Sequence, residues 1–348
     1  MINALLFMSS GLFLGWSLGA NDAANLFGTA VGTKMVKFKT AAIIISVFVI
    51  IGAVISGMGA SHTLGALGRV NRLPGAFIVA LAAALTVFWM TNWGLPVSTS
   101  QSIVGAIIGW NLFANMSTDL SVLSKIVSTW VLCPVLSAFF AALFFFILNK
   151  TIFKFKIHLL KLDHYTRIGL IIVGAFGAYS LGANNIANVM GVFTTSINLP
   201  PLSIGGLFTL TSTQQLFLLG GIAISVGVFT YSKRVMMTVG KNIYKISPIA
   251  ALIVVLSSST VLFLFASESL KMWLTSMGLP SFPLVPVSSS QAVVGAVIGI
   301  GLAKGGRNIN LAVLRNIGLG WIITPITSAI ISYISLFFMQ NVFMMTVY

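Results

Sequence analysis

Long stretches without a charged residue are the feature that most constrains how this chain folds. They cover residues 40–68, 73–118, 126–149, 168–232, 246–267, 272–303 and 316–348. A helix needs about 20 apolar residues to cross the hydrocarbon core of a bilayer. Counting the N-terminal segment, these stretches hold about ten crossings of that length. The sequence therefore predicts an all-α polytopic membrane protein.

The overall composition excludes a water-soluble enzyme. Only 7% of the residues are charged, whereas soluble domains carry about 25%. The net charge of +15 would suggest nucleic-acid binding in a soluble chain. In a membrane protein, Lys and Arg gather at the cytoplasmic ends of spans and contact anionic lipid. We therefore expect membrane lipid as a partner and no nucleic acid.

Three sequence blocks occur twice, in the same order. Two of the blocks are polar, and the third runs from a Trp to a Pro. The polar pairs are GANDAAN at 19–25 with GANNIAN at 182–188, and PVSTSQSIVGAIIG at 96–109 with PVSSSQAVVGAVIG at 286–299. The Trp-to-Pro pair is 130–134 with 321–325. Three ordered matches indicate duplication rather than chance similarity. The sequence predicts an N-terminal transmembrane repeat at 1–149, a basic cytoplasmic linker at 150–166 and a C-terminal repeat at 167–348.

The basic residues predict that the two halves cross the membrane in opposite directions. The first motif helix ends at Lys34, Lys37 and Lys39, whereas its counterpart begins after the basic linker at 150–166. Equivalent helices thus carry positive charge at opposite ends. By the positive-inside rule, they cross the membrane in opposite directions. An inverted repeat of this kind is the plan of many secondary transporters.

The predicted spans place most of the positive charge on one side of the membrane. We assign them near 4–31, 41–57, 74–92, 96–114, 122–148, 168–197, 205–231, 248–266, 286–303 and 316–340. With both termini outside the cell membrane, 15 of the 19 Lys and Arg residues face the cytoplasm, as the positive-inside rule requires. The exceptions are Arg69, Arg72, Lys125 and Lys271.

The motif at 19–25 predicts a cation site. Asn21 and Asn25 are four residues apart and share a helical face, with Asp22 beside them. A carboxylate at membrane depth costs at least about 2.5–3.5 kcal/mol on insertion scales unless it has partners. Carboxylate and amide oxygens suit hard cations. We predict that both copies of the motif supply cation-coupling residues, namely Asn21, Asp22, Asn25, Asn184, Asn185 and Asn188. Within this set, we predict a sodium site at Asp22, Asn25, Asn185 and Asn188. The alternative is that these side chains only hold helices together by hydrogen bonds.

The repeated Pro-Val-Ser motif predicts helices that start inside the membrane. Proline ends the preceding helix, and a Ser or Thr caps the next. The free N–H groups and the positive dipole end, together with hydroxyls, suit a tetrahedral oxyanion. The predicted anion-binding residues are Ser98, Thr99, Ser100, Gln101, Ser288, Ser289, Ser290 and Gln291. A proline-kinked span is the alternative, and whether these segments are re-entrant hairpins or broken spans stays open.

These paired motifs, in halves that cover nearly the whole chain, closely resemble the inorganic phosphate transporter (PiT) family. The resemblance implies transport of phosphate or, in some branches, sulfate. The chain departs from the family at Asn185, where an aspartate is usual, and in its short linker. The first departure leaves the number of coupled cations open.

The leading functional hypothesis is a secondary transporter that moves phosphate with a cation by alternating access. An intramembrane serine hydrolase is a remote alternative, because the histidines lie in predicted loops and no lysine falls in a span to serve as the base. A passive channel would need a continuous polar lining, whereas the polar residues gather at the motifs. We expect no enzymatic activity.

The identity of the transported ions is the least constrained part of this hypothesis. Hydrogenphosphate can donate a proton to a carboxylate such as that of Asp22, whereas sulfate only accepts hydrogen bonds. Phosphate is therefore favoured over sulfate or another oxyanion. Sodium is favoured over protons as the coupling ion. We expect no cofactor, and a homodimer stays open.

Overall fold

The computed structural model describes residues 2–93, 97–155, 158–206, 208–233, 235–237, 247–306 and 311–348, and it is mostly helical. Before the predicted linker, the helices are α1 (Ile2–Gly32), α2 (Phe38–Ser56), α3 (Met58–Leu67), α4 (Leu73–Asn92), α5 (Thr99–Phe113) and α6 (Leu120–Phe155). After it come α7 (Leu159–Met190), a 3₁₀ turn (Gly191–Phe193), strands β1 (Leu202–Ile204) and β2 (Phe208–Leu210), α8 (Ser212–Thr230), α9 (Pro248–Leu264), α10 (Glu268–Ser276), α11 (Ser289–Ala303) and α12 (Leu311–Asn341).

Seven helices among the described residues are long and apolar enough to cross a membrane. The bent pair α9 and α10, at 68° to each other, adds an eighth candidate. The predicted spans 96–114 and 286–303 correspond to α5 and α11, which are 15 residues each. At 1.5 Å per residue, such a helix is about 22 Å long, shorter than the roughly 30 Å hydrocarbon core. The two motif helices are therefore too short to cross the core on their own.

Three local differences separate the predicted from the observed elements. Helix α3 follows α2 after a single residue, Gly57, and was not predicted. The span predicted at 205–231 is a helix only from Ser212, because Leu202–Ile204 and Phe208–Leu210 pair as antiparallel strands. Gly205 and Gly206 have φ of 60° and 74° in the connecting turn, a backbone conformation that favours glycine. The predicted linker 150–166 consists largely of the ends of α6 and α7.

The short motif helices pack on the last helix of the other half. Helix α5 lies against α12, and α11 lies against α6. A Cβ atom at Gly105 would overlap the backbone of Pro325, and one at Gly295 would overlap the backbone of Pro134. Small residues allow this close approach of helices. The third repeated block, Trp to Pro, therefore provides the surface on which the second block packs.

Helix α6 presents an apolar face outward. Its exposed side chains include Val131, Val135, Phe139 and Phe146. An exposed apolar face of this kind would promote aggregation in water, whereas lipid can cover it. The outer surface thus agrees with the span assignment made from length and composition.

Candidate functional site

Both short helices begin with the serine cap that the motif predicts. Ser98 accepts a hydrogen bond from the Gln101 N–H at 3.2 Å, and Ser288 accepts one from the Gln291 N–H at 3.2 Å. The cap prediction is confirmed at both positions. The expectation that Pro286 ends a preceding helix is wrong, because α10 stops at Ser276 and residues 279–288 have no regular structure.

The two helix starts are joined by a reciprocal pair of hydrogen bonds. Ser100 Oγ donates to the Val287 carbonyl at 3.1 Å, and Ser290 Oγ donates to the Val97 carbonyl at 3.0 Å. All four residues are buried. The third hydroxyl residue of each motif therefore holds the backbone that leads into the other helix, and the two N-termini lie face to face.

The carboxylate of Asp22 lies between these two N-termini. Its Oδ1 accepts from Ser289 Oγ at 2.7 Å, and its Oδ2 accepts from Thr99 Oγ1. Thr99 and Ser289 are equivalent residues of the repeat and the first residues of α5 and α11. The positive dipole ends of both helices favour negative charge at this place. One acidic side chain of α1 thus links the predicted anion-binding segments of both halves.

In the second copy of the asparagine motif, Asn185 and Asn188 contact the start of α5. Asn185 Oδ1 accepts from Ser100 Oγ at 3.1 Å and from Asn188 Nδ2 at 2.9 Å. Asn188 Nδ2 also donates to Ser100 Oγ at 2.9 Å. Asp22 and Asn185, although equivalent in sequence, therefore have different partners.

Two of the predicted cation-coupling asparagines form hydrogen bonds to neighbouring segments. Asn184 Oδ1 accepts from the Val287 N–H at 2.7 Å, and its Nδ2 donates to the Val285 carbonyl at 2.9 Å. Asn21 Nδ2 donates to Thr91 Oγ1 at 3.2 Å. Both groups of the Asn184 amide are thus engaged in positioning the chain before α11.

Several buried polar atoms near these contacts have no hydrogen-bond partner among the described residues. They are Asn25 Nδ2, Gln101 Oε1, Asn185 Nδ2, Asn188 Oδ1 and Gln291 Oε1. An unpaired buried polar group costs about 1–3 kcal/mol. Three of these atoms are carbonyl oxygens of the kind that hard cations bind, and two are donors that suit an anion. The site therefore has unused groups of both kinds.

The sequence analysis gave no role to Pro134, Pro325 and Thr91. The two prolines pack against the motif helices, and Thr91 bonds to Asn21. The Trp-to-Pro repeat was a usable signal for the two prolines, because it recurs with the polar motifs. Thr91 accepts from Asn21 and donates to the Val87 carbonyl at 2.7 Å. Nothing in the repeat pattern distinguishes it from other residues of α4.

The fold and the site together define a multi-pass helical membrane protein with a buried polar centre between two short helices. The model of the Phosphate transporter family matches residues 18–332. The chain belongs to this family, which the sequence motifs predicted. The family consists of transporters, which are not an enzyme class.

Individual relatives cover almost the whole chain. A candidate phosphate permease of Methanocaldococcus jannaschii is 30% identical over 92% of this chain and 93% of its own length. The sulfate permease CysP of Bacillus subtilis is 32% identical over 93% of this chain and 84% of its own. A solved structure described as the sodium-dependent phosphate transporter superposes with a TM-score of 0.73 at 26% identity, covering 97% of this chain and 99% of that one.

Proposed function

We propose that this protein is a secondary transporter that moves inorganic phosphate together with a cation, most favourably sodium. The family match and the similarity to a sodium-dependent phosphate transporter support this assignment. The observation that carries it is the position of Asp22 between the first residues of α5 and α11.

That position supplies a physical reason for coupling. A phosphate ion seated between the two helix N-termini needs the hydroxyls of Thr99 and Ser289, which donate to Asp22. The carboxylate would also repel the dianion. A cation bound at Asp22 offsets the negative charge and allows the hydroxyls to turn toward the substrate. The anion therefore binds only when the cation is also bound.

The cation site is proposed at Asp22, Asn25, Asn185 and Asn188, as the sequence predicted. Asn188 Oδ1 supports it, because it is buried and has no partner among the described residues. The carbonyl oxygens of Gln101 and Gln291 share that property and extend the set of candidate ligands. Oxygen ligands of this kind suit sodium.

Alternating access would use the two halves as inverted repeats, with α5 and α11 as half-helices and both termini outside. The reciprocal bonds of Ser100 and Ser290 support a twofold relation at the centre. The matched packing of Gly105 on Pro325 and Gly295 on Pro134 supports the same relation. Ligands at the interface between repeats are typical of this plan.

Sulfate is the second candidate substrate, because the relative at 32% identity is a sulfate permease. Both anions are tetrahedral and fit the same donors. Only hydrogenphosphate carries a proton that a carboxylate can accept, and this difference favours phosphate at a site that contains Asp22.

Purified protein in liposomes tests the proposal. Uptake of radiolabelled phosphate and sulfate is measured with an inward sodium gradient, with potassium in place of sodium, and with a protonophore. We expect phosphate to accumulate only with the sodium gradient. Accumulation abolished by the protonophore would assign proton coupling instead. Flux that never exceeds equilibrium would indicate a channel, and no flux of either anion would overturn the assignment.

A further inference from the structure

A second group of titratable side chains lies outside the site described above, around a cavity of about 850 Å³. Its walls come from α3, α6, α10 and the irregular segment 283–285. The titratable side chains that line it are His62, Lys125, Glu268 and Lys271, all exposed. The volume falls within the range of about 300–1,000 Å³ for small-molecule sites and leaves room for a hydrated inorganic ion.

One short segment borders both this cavity and the candidate site. Leu284 and Val285 line the cavity, and the Leu284 carbonyl accepts from Thr63 Oγ1 at 2.5 Å. Two residues later, Val287 contacts Asn184 and Ser100 in the buried site. The two regions thus share one segment of chain, 284–287, which has no regular secondary structure.

The lysines of the cavity are not explained by the positive-inside rule. Lys125 and Lys271 are two of the four basic residues that the predicted topology places outside, where that rule does not favour positive charge. Among the described residues, Glu268 forms no ion pair with either lysine. The two lysines and the one glutamate leave the cavity with a positive excess. A cleft with low-dielectric walls focuses such a field toward incoming ions.

We propose that this cavity is an outer vestibule that binds small inorganic dianions weakly through Lys125 and Lys271 and supplies them to the buried site. The choice of phosphate or sulfate as the physiological ion rests on the proposed function. The positive potential of the vestibule does not, and it is measurable without transport. Movement of the segment 283–287 would connect the two regions.

Transport kinetics test the role of the lysines. Charged clefts raise association rates by about 10- to 1,000-fold, and Glu268 opposes part of the effect here. For Lys125→Gln/Lys271→Gln we expect kcat/KM for phosphate to fall about three- to tenfold, with kcat nearly unchanged and a weaker dependence on ionic strength. Lys125→Arg/Lys271→Arg should behave like the wild type. Glu268→Gln should raise kcat/KM, since it removes the opposing charge.

The matched control is Arg69→Gln/Arg72→Gln. It removes the same two positive charges from exposed residues on the same predicted side, but neither arginine lines the cavity. Its kcat/KM should match the wild type. An equal loss in both double variants would show a general surface effect and overturn the vestibule. An unchanged kcat/KM in the lysine variant would also overturn it.

Thiol labelling measures the potential separately. In a Cys133→Ala background, Thr275→Cys places a thiol in the cavity wall. An anionic methanethiosulfonate should react about three- to tenfold faster than a cationic one of similar size, and inorganic phosphate should slow it. The preference should disappear in Lys125→Gln/Lys271→Gln. Equal rates for both reagents would refute the vestibule even if transport is normal. An anionic preference without any uptake would refute the proposed function and leave the vestibule standing.

Discussion

Replacing Asp22 by asparagine separates the charge of this residue from its shape. The carboxylate accepts from Thr99 and Ser289, and hydrogen bonds to charged groups are worth about 1.5–3 kcal/mol each. Asparagine keeps one acceptor oxygen, and its NH₂ group can donate to the other hydroxyl. The substitution also removes the burial cost of the charge, about 2.5–3.5 kcal/mol. These effects oppose each other and are of similar size, so the free energy of unfolding should change by less than about 2 kcal/mol.

Cation binding should respond very differently. A unit charge about 4 Å from a cation contributes about 4 kcal/mol at an effective dielectric constant of 20, which is roughly a thousandfold in affinity. We therefore expect Asp22→Asn to keep its Tm within a few degrees while sodium-driven phosphate uptake falls at least about a hundredfold. Thermal unfolding in detergent and liposome uptake measure the two quantities.

Two further variants make the result interpretable. Asp163→Asn removes a carboxylate from the exposed ion pair with Arg167 and should leave uptake unchanged. Asn185→Asp should fold, because Asn185 uses its Oδ1 as an acceptor from Ser100 and Asn188, and a carboxylate preserves both contacts. If folded Asp22→Asn protein still concentrates phosphate on a sodium or proton gradient, Asp22 is not the coupling residue.

Ser289→Ala should raise the KM for phosphate about ten- to a hundredfold through the loss of one hydrogen bond to a charged ligand, because the proposed function turns this hydroxyl from Asp22 toward the substrate. Ser102→Ala, whose hydroxyl donates to the Ala83 carbonyl, serves as the unaffected control, and equal KM values in the two variants would remove the Ser289 hydroxyl from the site. Gly105→Ala should lower the free energy of unfolding by about 1–3 kcal/mol, because the added Cβ overlaps the backbone of α12. Gly318 faces open space, so Gly318→Ala should leave stability unchanged. Thermal unfolding measures both, and an equal Tm in the two variants would contradict the packing argument. Cysteines introduced at 150–161 should react only from the cytoplasmic side and one near the C-terminus only from outside; labelling of both from one side would refute the inverted topology.

The sequence predicted helices best where a basic residue marks their beginning, as Lys39 and Arg72 do. The span predicted at 74–92 corresponds to Leu73–Asn92, and that at 41–57 to Phe38–Ser56. It failed inside the uncharged stretch 168–232, where the hairpin before Ser212 carries no charge that separates it from a span. Helix α3 was missed for a related reason, because it follows α2 almost without a break.

The candidate site was predictable in its residues but not in its asymmetry. Repetition indicated that both Pro-Val-Ser motifs act together, and both caps form as the motif requires. The contacts of Asp22 join residues 77 and 267 positions apart in the chain. Such pairing depends on how the two halves pack against each other. The local periodicity of the sequence carries no information about that packing. The backbone role of Asn184 was missed for the same reason.

Each short motif helix packs on the last helix of the other half, and this arrangement also limits when the fold can form during synthesis. Helix α5 leaves the ribosome on the order of 200 residues before the helix that covers its glycine face, α12. At about 5–20 residues per second, this delay is roughly 10–40 s. During that time lipid or the insertion machinery must cover the surface around Gly105 and Gly109. The N-terminal half thus cannot reach its final packing until the last helix is made, and the buried polar centre is assembled last.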